Sequence, residues 1–168
     1  MSGGRVYLLD ANIFIDAYKK YYAFDIVPSF WEKIKQQAEA GRIISIDRVK
    51  DEIDRYHEED ELKIWVNQVF GRWFVSTDNE EVIESCREII NWAYHQSQFT
   101  DAAKNEFASV ADSWLIACAK TYNCALVSWE RHRPEKKSRI PMPNVCLAFH
   151  IPYIGNTFDW LRELRVKI

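Results

Sequence analysis

Short apolar runs and stretches of helically spaced apolar residues alternate along this chain. The runs Val6–Leu9, Ile43–Ile46 and Cys124–Ser128 are mostly apolar and rich in residues that favour strands. Such runs are typical of central strands in a parallel sheet, which are buried on both faces. Phe74–Ser76 and Tyr153–Ile154 are candidates for two further short strands.

The segments between these runs carry apolar residues three or four positions apart, which predicts helices. The predicted helices cover Asn12–Tyr22, Pro28 to Gly41, the residues from Asp47 to Tyr56, Leu62 to Gly71, Asn79–Gln96, Ser109–Tyr122 and Thr157–Leu164. Ser109 is the expected N-cap of its helix. No element is predicted for the polar stretch Ser97–Asn105, or for the residues between the basic loop Arg131–Arg139 and Tyr153.

Strands that alternate with helices in this way indicate an α/β fold with a parallel sheet. We predict a three-layer α/β/α sandwich with a mostly parallel central sheet. The 168 residues fit one domain, 1–168, since 48% apolar content is enough for a continuous core. No internal repeat, low-complexity tract or linker interrupts the pattern.

Composition and charge exclude some classes of protein. No segment approaches the roughly 20 apolar residues that a membrane helix needs, and the first apolar run stops at Asp10. We therefore expect a soluble, cytoplasmic protein. The formal net charge of −3 argues against a basic surface over the whole domain, but it leaves room for a local basic patch.

The four cysteines lack the spacing of a metal-binding or redox motif. They are Cys86, Cys118, Cys124 and Cys146. We interpret them as small buried hydrophobic residues in a reducing cytosol. The alternative is a zinc site shared with histidine residues, for which the candidates are His57, His95, His132 and His150.

Three acidic residues lie where the active site of a parallel α/β sheet is expected, beyond the carboxyl ends of the strands. Asp10 terminates the first strand, Glu52 lies on the helix that leaves the second, and Asp112 opens the helix before a later strand. The spacing places Glu52 and Asp112 on the apolar faces of their helices. Because an inward carboxylate is costly unless it is paired or metal-bound, the three acids suggest a shared cation.

Oxygen ligands without His or Cys favour Mg²⁺ or Mn²⁺ over zinc. Such ions activate water for in-line attack on a phosphodiester and stabilise the departing oxygen. Simpler interpretations stay open for each acid. Asp10 could cap the following helix, Asp112 could stabilise a helix dipole, and Glu52 could be an exposed acid in the acidic run Asp51–Glu61.

Four segments resemble the motifs of PIN-domain nucleases, in the order and spacing of that family. Leu9–Asp16 is similar to the opening motif, an aspartate with Asn two residues later, and Asp51–Ile53 resembles the second motif. Ala111–Ala119 is similar to the third motif, and Leu126–Glu130 occupies the place of the hydroxyl-x-acid motif. The tail from Ile140 is similar to a PIN-like subfamily found in prokaryotic toxin–antitoxin-type gene pairs.

This resemblance implies a PIN-like fold and a metal-dependent endoribonuclease, the toxin of a type II toxin–antitoxin system. The implied catalytic and metal-binding acids are Asp10, Glu52, Asp112 and Glu130. Asn12 would orient Asp10, and Ser128 would hydrogen-bond near the metal. Glu130 stands where the family more often has Asp, so an ordinary surface acid is the alternative there. The implied cofactor is Mg²⁺ or Mn²⁺, and the implied partners are RNA, a cognate antitoxin and a second copy in a homodimer.

Two other functions remain open at this point. A non-catalytic PIN-fold module would bind RNA or protein without cleaving it, although the intact acids argue against this. A phosphatase on a similar sheet would need a second Asp two residues after Asp10, where Asn12 stands. Asp16, further along the same helix, is expected outside the metal sphere.

The loop Arg131–Arg139 is the strongest basic patch of the sequence. It follows the strand that ends at Ser128, so it would border the acidic pocket and bind phosphates. Its candidate substrate-binding residues are Arg131, Arg133, Lys136 and Lys137. The alternatives are a solvated loop and, for the neighbouring Trp129, either packing or stacking on a base.

The first helical hairpin carries a cluster of aromatic residues. They are Tyr18, Tyr21, Tyr22, Phe24, Phe30 and Trp31. A buried core is one interpretation, and a dimer or antitoxin surface is the other.

Overall fold

The computed structural model of the protein describes residues 4–56, without the side chain of Tyr56, and residues 60–168. The interpretations that involve the Tyr56 side chain and His57 therefore lie outside the described residues. The strands are β1 Tyr7–Leu9, β2 Ile43–Ile46, β3 Phe74–Val75, β4 Ala125–Val127 and β5 Tyr153–Ile154. The helices are α1 Ala11–Asp16, α2 Pro28–Glu39, α3 Asp47–Tyr56, α4 Glu61–Gln68, α5 Glu80–Tyr94, α6 Asp101–Ser109, α7 Ala111–Tyr122, α8 Met142–Ala148 and α9 Thr157–Leu164.

The five described strands form one parallel sheet in the order β3-β2-β1-β4-β5. In register, Leu8 lies between Ile44 of β2 and Leu126 of β4. The chain builds the sheet first toward β3 and then crosses back to β4 and β5. Because parallel connections are right-handed, this reversal places helices on both faces of the sheet. The predicted three-layer α/β/α fold is confirmed.

The order of the strands also predicts where a ligand binds. β1 lies at the point where the chain reverses its direction across the sheet, with β2 on one side and β4 on the other. Ligands of such sheets bind beyond the carboxyl ends of the strands at this point. The residues that follow β1 and β4 therefore border the expected site.

The central strands are as apolar and as buried as their sequence indicates. Every residue of β1 and of β4 is buried, and Leu8 is 0% exposed. The helices complete the core with their apolar stripes, such as Val82, Cys86, Ile89 and Ala93 on α5. The left-handed conformation of Gly41, with φ of 79°, ends the turn after α2, where a closing glycine was predicted.

Two predictions about the segment before α7 are wrong. The stretch Ser97–Asn105, for which no element was predicted, contains the start of α6. Thr100 is the N-cap of this helix, and its hydroxyl accepts a hydrogen bond from the amide of Ala103. Ser109 is not an N-cap, since it ends α6 and its hydroxyl donates to the carbonyl of Glu106. The residue at the start of α7 is Val110, which has no side-chain acceptor for the helix amides.

The tail and the first helix also differ from the prediction. α8 forms in the tail, where no element was predicted, and Pro141 and Pro143 lie at its start, which suits the fixed φ of proline. The first helix is regular only to Asp16. It continues as a wide π-helical turn at Ala17–Tyr21, in which the amide of Tyr22 donates to the carbonyl of Ala17 at 2.6 Å.

No helix among residues 4–56 and 60–168 is long and apolar enough to cross a membrane.

Candidate active site

Asp10 is the first residue after β1 and is buried, with 8% of its surface exposed. Its backbone stays extended, so its side chain reaches forward and accepts a hydrogen bond from the amide of Ala11 at 2.7 Å. Its other carboxylate oxygen accepts from the hydroxyl of Ser128 at 2.8 Å. Asp10 therefore caps α1, as one interpretation held, and one of its oxygens also points toward the end of β4.

A network of hydrogen bonds joins the ends of β1 and β4. The side-chain amide of Asn12 donates to the hydroxyl of Ser128 at 3.0 Å, and its oxygen accepts from the backbone of Trp129 at 3.2 Å. The amide of Glu130 also donates to Ser128, at 3.2 Å. Since the Ser128 hydroxyl accepts these bonds, its own proton is directed at Asp10. The structure thus places Ser128 directly on the Asp10 carboxylate and connects Asn12 to Asp10 only through Ser128.

Glu130 follows Ser128 by two residues and is held in place by its backbone. The hydroxyl of Tyr153 donates to the carbonyl of Glu130 at 2.6 Å. The Glu130 side chain is only 13% exposed, which does not fit an ordinary surface acid. One of its carboxylate oxygens, Oε2, is buried and has no hydrogen-bond partner among the described residues.

Asp112 lies in the first turn of α7, on the same face as the buried residues Leu115, Ile116 and Ala119. Its side chain is 20% exposed. The guanidinium of Arg139 lies between it and Glu130, at 3.6 Å from Asp112 and 2.7 Å from Glu130. Arg139 is itself 53% exposed, so a cation from the basic loop reaches into the acidic site from outside.

Burial raises the pKa of all three carboxyl groups, and the charge of Asp112 raises the pKa of the other two further. Burial, and then the charges of Asp112 and Glu130, raise the pKa of Asp10 to about 8, although the Ser128 hydroxyl acts in the opposite direction. Burial and the charge of Asp112 raise the pKa of Glu130 to about 7, against the effect of Arg139. Burial also raises the pKa of Asp112, while Arg139 lowers it. Three ionised carboxylates at this site would therefore carry more negative charge than burial and Arg139 allow, so the carboxyl groups tend to keep their protons.

Glu52 borders the same space from α3. It is half-buried and lines two neighbouring cavities together with Asp112, one of about 190 Å³ and one of about 260 Å³. The smaller cavity is also lined by Arg139, and the larger one by Arg48 and Arg55. Glu52 thus shares two cavities with Asp112. Asp10 and Glu130 are instead linked to Asp112 by its charge, which raises the pKa of both.

The donor set fits a divalent cation in its chemistry. The side chains at the site offer carboxylate oxygens, which Mg²⁺ and Mn²⁺ prefer, and the buried Oε2 of Glu130 lacks a partner. In the part of the chain that the structure describes, no three acidic, histidine or cysteine side chains lie close enough together to hold a metal ion. Holding one would therefore require the carboxylates to draw together from these positions.

The basic loop lies beside Glu130. A cavity of about 400 Å³ is lined by Glu130 and by Arg131, Arg133, Lys136 and Arg139. Lys137 is exposed but does not line this cavity, and its carbonyl accepts a hydrogen bond from the amide of Thr100. The structure therefore brings three of the four predicted substrate-binding residues to the acidic site.

The aromatic cluster of the first hairpin divides into two parts. Tyr22, Phe30 and Trp31 are buried, and the Tyr22 and Phe30 rings stack 4.4 Å apart. Tyr21 instead is 41% exposed and stacks on Trp129. The buried-core interpretation is therefore confirmed for Tyr22, Phe30 and Trp31, and the dimer or antitoxin surface stays a prediction for the exposed Tyr21.

Two residues outside the prediction also face the candidate site. Glu106 of α6 lines the same cavity as Glu52 and raises the pKa of Asp112. Arg139 was predicted only as part of the basic loop. Neither residue type nor spacing singles them out, because both depend on how α6 and the loop fold back onto α7.

Other residues lie apart from this site. Asp16 forms an ion pair with Lys20 at 3.4 Å, and its place outside the metal sphere stays a prediction. All four cysteines are buried and free. Burial raises their pKa values, to about 12 for Cys118, so they stay protonated. These features fit small core residues rather than zinc ligands.

Comparison with known proteins supports the fold. The structure is similar to the crystal structure of FitAcB from Neisseria gonorrhoeae, with a TM-score of 0.51 and 14% sequence identity. The similarity covers 89% of this chain and 96% of the FitAcB chain. At this identity it concerns the fold alone, and it supports the PIN-like fold that was predicted.

No curated protein sequence matches this chain. Residues 7–168 match the family described as "Domain of unknown function (DUF4411)", and the chain therefore belongs to that family.

Proposed function

We propose that this protein is a metal-dependent endoribonuclease that hydrolyses RNA phosphodiester bonds. The observation that carries this proposal is that Asp10, Asp112 and Glu130 lie beside the carboxyl ends of β1 and β4, near enough for the charges of Asp112 and Glu130 to raise the pKa of Asp10. Their burial and mutual repulsion raise the pKa of Asp10 to about 8 and of Glu130 to about 7. Carboxylates arranged in this way gain most from a shared divalent cation.

The proposed metal-binding and catalytic residues are Asp10, Glu52, Asp112 and Glu130, with Mg²⁺ or Mn²⁺ as the cofactor. When bound, such an ion activates water and stabilises the charge that develops on a phosphodiester. Ser128 orients Asp10 through its hydrogen bond, and Asn12 supports Asp10 indirectly by holding Ser128. Arg131, Arg133, Lys136 and Lys137 bind the phosphates that flank the bond to be cut.

We also propose that the protein is the toxin of a type II toxin–antitoxin pair. The PIN-like motifs and tail of the sequence support this, together with the fold that it shares with FitAcB. The proposed partners are a cognate antitoxin that covers the acidic site and a second copy of this chain in a homodimer. Growth arrest on induced expression of the parent chain, and its absence with Asp10→Asn, is the expected result in cells.

Cleavage of a labelled single-stranded RNA with Mn²⁺ or Mg²⁺ tests the nuclease. The parent should cut, and both EDTA and Asp10→Asn should abolish cutting. Asp25→Asn is the matched control, since Asp25 is an exposed aspartate in a turn outside the site, and it should cut like the parent. Equal cutting by Asp10→Asn would contradict the proposal and point to a contaminant.

The rival is a catalytically silent PIN-fold module that binds RNA or protein, and stability measurements distinguish it. Occupancy of the site should raise the melting temperature when Mn²⁺ is added to the parent, and much less so with Asp10→Asn. No cutting of diverse RNA together with no stabilisation by divalent ions would favour the silent module.

A further inference from the structure

Beside the acidic site lie three aromatic side chains that the proposed cleavage does not use. We call Tyr21, Trp129 and Phe158 the aromatic platform. The rings of Tyr21 and Trp129 stack with centroids 5.4 Å apart and 26° between their planes. Phe158 meets them edge-on, at 5.4 Å from Tyr21 and 5.6 Å from Trp129. Tyr21 is 41% exposed and Phe158 is 42% exposed, and clustered exposed aromatic rings mark binding surfaces.

Three distant segments of the chain build the aromatic platform. Tyr21 is the last residue of the π-helical turn, Trp129 follows β4 by two residues, and Phe158 lies in the first turn of α9. π-helical turns are rare and are found frequently at functional sites. Trp129 is also the neighbour of Glu130 in sequence, so the platform adjoins the acidic site directly.

The charges around the aromatic platform suit a polyanion. Trp129 and Arg131 line both the cavity beside Glu130, of about 400 Å³, and a cavity of about 420 Å³ that reaches Phe158 and Arg162. The two cavities are therefore adjacent. Arg162 pairs with Asp159, but within residues 4–56 and 60–168 Arg131 forms no ion pair, so its charge is available to a ligand.

We propose that the aromatic platform binds an unpaired base of single-stranded RNA, while Arg131 and Arg133 bind the phosphates that lead the strand toward Glu130. This inference rests on the proposed nuclease function and extends it to how substrate is recognised. Stacking on aromatic rings tolerates any base sequence, and a base held in a duplex does not offer its face. The platform therefore favours unpaired segments without reading their sequence.

Binding of a short fluorescein-labelled RNA without secondary structure, measured by anisotropy in EDTA so that nothing is cut, tests the proposal. Tyr21→Ala and Phe158→Ala should each raise Kd about 5- to 100-fold, the range that loss of one base–aromatic stack produces. Tyr122→Ala is the matched control, because Tyr122 is 44% exposed but lies at the opposite end of α7 from Asp112. The parent should bind the same sequence more weakly once it is paired in a duplex.

Four results would overturn the proposal. Two concern the parent, which would fail to bind the RNA or would bind the duplex equally well. Two concern the platform variants, which would bind RNA like the parent, or would dissociate a dimer in sedimentation without weakening RNA binding. Should the alanine variants unfold, Tyr21→Leu and Phe158→Leu keep the apolar volume and decide the question. If the parent cut RNA with metal while the platform variants bound RNA normally, the platform proposal would be wrong and the proposed nuclease function would be unaffected. A functional platform without any cutting would overturn the nuclease alone.

Discussion

Replacement of Glu130 by Gln tests whether the carboxylates of the site repel one another. Gln has the shape of a protonated glutamate and cannot ionise. We therefore expect Glu130→Gln to stabilise the metal-free protein at a pH where the parent residue is charged. At a pH where the parent residue is protonated, the two proteins should have the same stability.

The pKa of Glu130 sets the magnitude and the pH range. Burial and the charge of Asp112 raise it from the ordinary 4.5 to about 7. A carboxyl group with a raised pKa contributes stability that is fully present below its unfolded pKa and is lost as the pH rises through its folded pKa. The difference between the two pKa values corresponds to about 3 kcal/mol, at about 1.4 kcal/mol per pKa unit. The Glu130 side chain is only 13% exposed, so solvent screening reduces this value little.

Urea denaturation in EDTA at about pH 4.5 and about pH 8 measures this difference. At the higher pH the variant should exceed the parent in free energy of unfolding by up to about 3 kcal/mol. Glu135→Gln is the matched control, since Glu135 is exposed in the adjacent loop, and it should change stability by less than about 0.5 kcal/mol. Addition of Mn²⁺ should then stabilise the parent more than Glu130→Gln, because Gln is the poorer ligand.

One result would refute this reasoning. If Glu130→Gln were less stable than the parent in EDTA at about pH 8, the ion pair with Arg139 would outweigh burial and repulsion. The pKa of Glu130 would then lie below its ordinary value, and the site would already be neutralised by the chain itself.

Three further predictions concern the neighbours of Glu130 and the core. Ser128→Ala removes the hydroxyl that donates to Asp10, so it should raise the pKa of Asp10 further and lower the free energy of unfolding by about 1–3 kcal/mol in urea denaturation. Unchanged stability would contradict this. Arg139→Gln removes the cation beside Asp112, so metal-free stability at about pH 8 should fall by about 1–2 kcal/mol, while stabilisation by Mn²⁺ should grow. A smaller metal effect would show that Arg139 does not compete with the cation. Ile53→Ala should lower the free energy of unfolding by about 2–5 kcal/mol in the same assay, because Ile53 is a 0% exposed core residue of α3. A smaller loss would mean that the core closes over the cavity.

The strands and the acids that follow them could be predicted because local sequence determines both. A run such as Tyr7–Leu9, which is apolar at every position, favours a strand that is buried on both faces. The acid that ends it must then lie at the edge of the sheet where parallel strands present their ligands. The same reasoning placed Ser128 at the end of β4, and the hydrogen bond between Ser128 and Asp10 joins positions 118 residues apart.

α6 and α8 were not predicted because neither shows a clear helical signal in the sequence. α6 contributes only Ala103 and Phe107 to the core, which is too few to produce a clear helical period. α8 is seven residues long and begins among prolines that more often mark loops. Arg139 belongs to a loop, and its place between two carboxylates depends on tertiary structure, as does the meeting of three aromatic rings from distant segments.

The contacts of the acidic site indicate which part of it would move when a cation binds. Asp10 is fixed on both oxygens, by the amide of Ala11 and by the Ser128 hydroxyl, and both donors belong to the ends of central strands or the helix that follows. Asp112 and Glu130 instead share Arg139, a long and half-exposed side chain from a loop. A half-exposed side chain on a loop moves more easily than a side chain that is hydrogen-bonded at the end of a central strand. Cation binding should therefore displace Arg139 and leave Asp10 in place. Asp10 would then act as the fixed reference of the site, and the freed guanidinium would lie beside the cavity where we propose that phosphates bind.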